Sequence, residues 1–358
     1  MRRLIAGCAI ALVLFTACNP QPKTEYAKYT NSALGSFDTL ITLVAYTKTE
    51  AEFNGYFEQA KTRFAELHQL YDIYHNYEGI NNLKTINDNA GVKPVQVAWE
   101  ILDLIRLAKE WAYTGKGQTN IALGPVLAIW HEYRTEGLDD PDTAALPPRD
   151  LLLEAAKYTE IDDVIIDEEK STVFLKDRRM KLDVGALAKG FATELVAREL
   201  EAAGLKSGAI GAGGNIRTIG KPLDGIREKW GIGIQDPNST LFSEDRNLDT
   251  LYVNDLSVVT SGDYQRYYYV DGQRYHHLIN PATLMPAAYY RAVTVVAPDS
   301  GLADLLSTEL FLLPYEESRK LADSLNDVEA MWVLPDGEVR ITEGMKAMLR
   351  SHGATGKN

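Results

Sequence analysis

Cysteine is nearly missing from this chain: two residues in 358, Cys8 and Cys18, both within the first eighteen positions. That excludes a disulfide framework, and beyond position 18 it excludes thiol catalysis and any cysteine-ligated metal. Histidine is also scarce, with six residues and no His-x-x-x-His spacing, so no ordinary zinc-binding pattern is present. Positive charge is in deficit, 37 Lys and Arg against 50 Asp and Glu, for a net charge of −13. No nucleic-acid partner is expected, since that binding depends on cations that neutralise backbone phosphates. A phosphate ligand in a locally basic pocket is still compatible with this balance.

One apolar run stands out, at the start. Arg2 and Arg3 precede LIAGCAIALVLFTA, which is too short to read as a spanning helix. Small Thr16 and Ala17 then lead to Cys18, and LFTAC resembles a bacterial lipoprotein signal, with Phe15 where Leu is usual. An ordinary signal peptide or a single anchor helix is the alternative. The expected organisation is a lipoprotein signal peptide over 1–18 with Cys18 lipidated, and a flexible polar tether over 19–33. A folded domain over 34–346 and a polar tail over 347–358 follow. Such a protein is exported and lipid-anchored to the cell membrane, on its extracytoplasmic face.

Hydrophobic residues make up 45% of the chain, enough for one large domain or two packed subdomains. Alternation predicts a strand over 37–46, and helical spacing of Phe53, Phe57, Ala60, Phe64 and Leu67 predicts a helix over 50–75. Further helices are predicted over 97–114, 126–134, 150–158, 186–203, 300–313 and 315–325. Strands are predicted over 207–211, 216–219, 230–237, 251–260, 265–270 and 291–298. Residues 163–185 read as a hairpin turning near Glu168–Ser171, residues 274–287 as a loop, and the end of the domain as a hairpin turning at Asp336–Gly337. Strands and helices mix without regular alternation, so the expected class is α+β, mixed sheets packed with helices.

Four stretches carry polar residues in patterns that chemistry can use. In KLDVGALAKG, Asp183, Gly185 and Lys189 lead into a helix whose first free N–H groups suit an anion. Phe191 follows Gly190 where a P-loop has Lys, so this is not a Walker A motif; on these residues alone a helix cap with a solvated lysine is the commoner reading. GAIGAGGNIRTIG packs glycines between two strands, which suits close approach of another strand or of a flat ligand. His276 and His277 adjoin one another, so on a strand at most one of them enters a site; His277 is the candidate proton acceptor, with a packed histidine as the alternative. Asp304 and Thr308 share a helix face, and their oxygens suit a hard cation such as Mg2+, though an ordinary surface pair on an amphipathic helix is the commoner reading of such spacing.

Four blocks in this order resemble the FAD:protein FMN transferases, the ApbE family: LDVGALAKGFA, GAGGNIRTIGKPLDG with WGIGIQDP, VVTSGDYQRYY with DGQRYHHLINPATLMPA, and VTVVAPDSGLADLLSTELFLLP. The resemblance spans about residues 34–345. It implies an ApbE-like flavin transferase fold with the FAD site in a cleft between subdomains. It also implies that FAD, the substrate, is cleaved with Mg2+ and that FMN passes to a Thr or Ser hydroxyl of a partner protein, releasing AMP. By position, Asp304, Thr308 and the backbone oxygen of Ala186 would hold Mg2+, and His277 would be the base. Asp183 and Lys189 would contact the phosphate and adenosine portion. Gly213, Gly214, Asn215, Ser261, Gly262 and Asp263 would border the flavin. Three places depart from the common pattern. Phe37 stands where Met is usual, and Gln118, Thr119 and Asn120 stand where Ala, Phe and Asp are usual. Asn280 stands where Asp is frequent. The implied partner is an acceptor flavoprotein with a Thr/Ser flavinylation motif, such as an Rnf/Nqr-type subunit or another exported flavin domain. The alternatives are an FAD pyrophosphatase that releases free FMN, and a non-catalytic flavin-binding lipoprotein.

Overall fold

The computed structural model describes residues 25–115, 117–239 and 246–357. The signal-like segment and Cys18 lie outside the described residues. Among those described, no helix is long and apolar enough to cross a membrane.

The centre of the fold is an eight-stranded antiparallel sheet. Its strands are β1 (Ala27–Ser36), β2 (Thr39–Thr47), β3 (Gly208–Ala212), β4 (Asn215–Ile219), β5 (Ser257–Gly262), β6 (Ala292–Ala297), β7 (Glu329–Val333) and β8 (Val339–Ile341), and they lie side by side in that order. Five longer helices matter for the site: α1 (Glu50–Tyr71), α2 (Trp99–Thr114), α3 (Gly124–Asp139), α4 (Ala188–Ala202) and α5 (Ser300–Leu312). Helix α1 starts where Thr49 Oγ1 accepts the Glu52 N–H at 3.2 Å. It buries Phe53, Phe57, Ala60, Phe64, Leu67 and Tyr71, the stripe that its spacing predicts. Helix α5 is capped by Asp299, and nearly every one of its residues is buried, because it packs against α4, β5 and β6. Any polar side chain on α5 therefore needs a partner or a ligand.

Several sequence expectations are corrected. Residues 27–33 are not tether but part of β1, an edge strand paired with β2. Its side chains are mostly exposed, so no hydrophobic alternation announces it. The tail is not free: Leu349 is buried, and the Gly356 carbonyl accepts the Glu228 N–H at 2.6 Å. Residues 251–260 are two strands broken at Asp255, whose φ is +52°. Asn247–Val253 pairs with Trp230–Gln235 in a separate ribbon, whereas β5 joins the central sheet. The hairpin that the Asp271–Gly272 turn signals is present, Tyr267–Val270 pairing with Gln273–His276, so the loop reading of 274–287 is corrected at its first residues. Residues 181–184 join no sheet. Asn87 instead satisfies both backbone groups of Leu182, at 2.7 and 3.0 Å, and the Asp183 N–H bonds Ile121 O at 2.8 Å.

Candidate active site

A cleft of about 510 Å³ opens where the tips of the β1–β2 and β3–β4 hairpins meet the N-terminus of α4 and one face of α5. Gly190, not Gly185, is the glycine that KLDVGALAKG cannot replace. A Cβ at Gly190 would lie 2.2 Å from Ser300 O and 2.4 Å from Asp304 Cβ. This contact lets α4 and α5 touch, and the Gly190 N–H donates to Asp304 Oδ2 at 2.8 Å. Gly185 has no steric need of its kind; its N–H closes a turn onto Asp183 Oδ1 at 2.9 Å.

Asp304 and Thr308 both face the cleft from α5, with Ala186 and Lys189 opposite on the entry to α4. Burial raises the Asp304 carboxyl above its ordinary range, with Lys189 opposing the shift. Ser261 Oγ lies 2.8 Å from Ser307 Oγ and 3.4 Å from Thr308 Oγ1. Among the described residues no group of three His, Cys, Asp or Glu side chains could cage a metal. One carboxylate, one hydroxyl and a nearby carbonyl fit a hard cation that keeps waters and shares substrate phosphates.

Of the paired histidines, only His277 lines the cleft. His276 donates from Nε2 to Ala287 O at 2.7 Å, accepts the Leu278 N–H on Nδ1 at 3.2 Å, and stands edge-on to Phe311. His277 Nδ1 is buried with no hydrogen-bond partner. Burial, reinforced by Arg266, His276, Arg134 and Lys189, holds this imidazole well below its usual pKa, hence neutral at pH 7. Burial also lifts the Asp183 carboxyl, against its turn with Gly185 and the nearby His131, Arg266 and Arg134.

The glycine-rich turn does approach a strand closely: Gly213 has φ +61°, and a Cβ there would meet Thr39 Oγ1 at 2.7 Å. Gly214, Asn215 and Gly262 also line the cleft, and Asn215 Nδ2 is buried without a partner. Phe37 sits at the β1–β2 turn with φ +55°. It packs edge-on against Phe64 and His68 and supplies an apolar wall. Gln118, Thr119 and Asn120 line the cleft, but Asn120 spends its side chain on the fold, accepting from Ala122 N at 2.8 Å and donating to Thr159 O at 2.9 Å.

Asp263 is not in the cleft. The chain leaves β5 at Gly262, and Asp263 turns to ion pairs with Arg274 at 2.6 Å and Arg291 at 2.9 Å. The flavin border expected of it is therefore withdrawn. The sequence reading also missed five residues. His131, Arg134, Arg266 and Tyr74 line the cleft. Glu309, fully buried beside Thr308, accepts the N–H groups of Gln118 and Thr119 at 3.2 and 2.6 Å. The three-residue spacing of His131 and Arg134 on one helix was the available signal for that pair.

A sequence model of the ApbE family matches residues 37–332. The chain belongs to the ApbE family. It is 35% identical over 280 residues to the FAD:protein FMN transferase of Treponema pallidum, covering 75% of each chain. The Haemophilus influenzae enzyme of that name is 27% identical over 343 residues, covering 91% of this chain and 92% of the relative. Among solved structures, the ApbE protein of Thermotoga maritima superposes with a TM-score of 0.76 at 26% identity, covering 90% of this chain and 99% of that one. The flavin transferase ApbE of Vibrio cholerae, at 21% identity, shares the fold with a TM-score of 0.75, covering 90% of this chain and all of that one.

Proposed function

We propose that this ApbE-family chain is an FAD:protein FMN transferase that forms a phosphoester between FMN and a Thr or Ser of a partner protein. The observation that carries this is the cleft itself. A neutral imidazole with an unpartnered nitrogen shares it with a buried carboxylate–hydroxyl pair and a lysine at a helix entry. That combination suits transfer at a pyrophosphate, where catalysis is positioning, charge neutralisation and activation of a hydroxyl.

Asp304, Thr308 and the Ala186 carbonyl would hold Mg2+, which when bound neutralises phosphate charge. His277 takes the proton of the acceptor hydroxyl. The hydroxyl oxygen then bonds the flavin-side phosphorus, the bond to the bridging oxygen breaks, and AMP leaves with that oxygen. Lys189 sets a positive charge beside the reacting phosphates, and Asn215 Nδ2, buried beside Asp304, offers a further donor. Asp183 lies at the phosphate and adenosine portion. Gly213, Gly214 and Phe37 form close and apolar walls against which a flat flavin packs.

The LFTAC sequence supports an exported enzyme, lipid-anchored through Cys18 at the extracytoplasmic face. Its acceptor would be an Rnf/Nqr-type flavoprotein subunit or another exported flavin domain. Incubating the protein with FAD, Mg2+ and such a domain should add the mass of FMN to the acceptor. Free FMN and AMP without an adduct would mark a hydrolase, and unchanged FAD would sink both readings.

A further inference from the structure

The cleft has a second cationic group, set apart from Lys189 by the elements that carry it. Arg134 and His131 sit three residues apart on α3, and Arg266 comes from the chain between β5 and the Tyr267–Val270 strand. All three line the cleft. Among the described residues, neither Arg134 nor Arg266 takes part in an ion pair, whereas Arg274 and Arg291 both close on Asp263. The Arg134 guanidinium donates to His131 Nδ1 at 2.8 Å. Arginine has no acceptor, so this bond fixes the neutral imidazole with its proton on Nε2, making a third donor. The Tyr74 ring, 5.1 Å from the imidazole, holds its plane. Asp183 is the acid of this neighbourhood, with one oxygen already engaged by the Gly185 N–H. Asp38 and Asp72 line the same cleft, but Asp183 is the acid that acts on Arg134 and His131, so the two guanidiniums outnumber the carboxylate facing them in a protein of net charge −13.

Burial and mutual repulsion with Arg266 lower the affinity of Arg134 for its proton. This arrangement therefore carries an electrostatic cost that an anion would relieve. On the FAD reading above, on which this inference rests, the flavin and adenine rings are neutral and the phosphates are the dinucleotide's only anions. We propose that Arg134, Arg266 and His131 form a phosphate-gripping subsite for the bound dinucleotide, independent of the cation held at Asp304. Arginine's planar fork suits that ligand.

The test is binding without metal. In EDTA, the affinities of FAD, FMN and riboflavin would be measured by flavin fluorescence for the wild type and for Arg134→Met, Arg266→Met and the double variant. The double variant should weaken FAD and FMN by about tenfold or more and leave riboflavin within about twofold, since only the phosphate contact is lost. Arg134→Lys, which keeps the charge and loses the fork, should fall between. Added salt should narrow the gap between FMN and riboflavin in the wild type and hardly change it in the double variant. Equal weakening of FMN and riboflavin, or no weakening of either, would overturn the subsite while leaving the flavin reading intact. A wild type that binds none of the three would overturn both.

Discussion

Glu194 on α4 and Asp304 on α5 are equally buried acids on two helices in contact, and the fold treats them in opposite ways. Glu194 is fully answered. Arg198 reaches one oxygen at 2.8 Å, while Arg217 at 3.1 Å and the Ser300 N–H at 2.8 Å reach the other. Asp304 faces no arginine: it receives the Gly190 N–H, with the Asn215 amide beside it and Lys189 acting only from a distance. A buried acid with its charge matched is part of the scaffold. One held above its ordinary range at the floor of a cleft is a candidate for chemistry, and on the proposed function it would hold a cation. The same division recurs among the arginines: Arg274 and Arg291 close on Asp263 at the back of the site, and Arg134 and Arg266 stay open within it.

The largest effect should come from Asp304→Asn. Mg2+-dependent transfer should fall by about a thousandfold or more, since the set loses its one charged oxygen. The melting temperature should hold or rise, because a poorly compensated buried charge is removed. Glu194→Gln should do the reverse. It leaves Arg217 buried without its partner and should cost about 3–5 kcal/mol of stability by urea titration, while the protein that stays folded keeps its turnover. A Glu194→Gln protein that is folded yet inactive, or an Asp304→Asn protein that unfolds, would erase the distinction between scaffold and site.

A smaller effect concerns pH. The folded His277 has a lower pKa than an unfolded histidine, so it stays neutral as pH falls through about 6.5. The acid limb of kcat/KM should therefore lie below the ordinary histidine range. Stability runs the other way: below the unfolded pKa the unfolded chain binds the proton and the native chain does not, so acidification weakens the fold. A limb at or above about 6.5 would mean that a different base sets the profile.

How much of this was legible depends on what each residue does for its local segment. Asp304, Thr308, Lys189 and His277 lie in segments whose period or order of motifs is strong, and the cleft holds all four. Strand β1 was hidden because an edge strand with exposed faces carries no hydrophobic alternation. Leu182 was read as strand because Asn87, ninety-five positions away, replaces the ladder that a strand would have used. Asp263 was misplaced for the same kind of reason: its partners Arg274 and Arg291 come from a hairpin and a loop that only the tertiary fold brings near. Gly190 reads from sequence only as the second glycine of a P-loop-like spacing, and its need for a bare Cα exists only once α5 is laid against it.

Glu309 is the least visible of these and gives the finest test. It is on α5 next to Thr308, so one helix both presents Asp304 and Thr308 to the cleft and ties down the wall at 118–120. Its carboxylate takes the N–H groups of Gln118 and Thr119, so those two donors are unavailable to a ligand. This is the stretch where the family's usual Ala-Phe-Asp is replaced, so the recognition there belongs to this chain. Glu309→Ala should leave two inward N–H groups unpaired at a cost of about 1–3 kcal/mol in stability. It should raise KM for FAD by about five- to tenfold with kcat little changed, because a positioned wall acts on binding and not on the reacting atoms. Glu309→Gln should sit between, since one amide oxygen can still accept while the amide nitrogen meets an N–H. If kcat falls instead and KM holds, Glu309 acts through Thr308 on the cation, and wall and floor are one device.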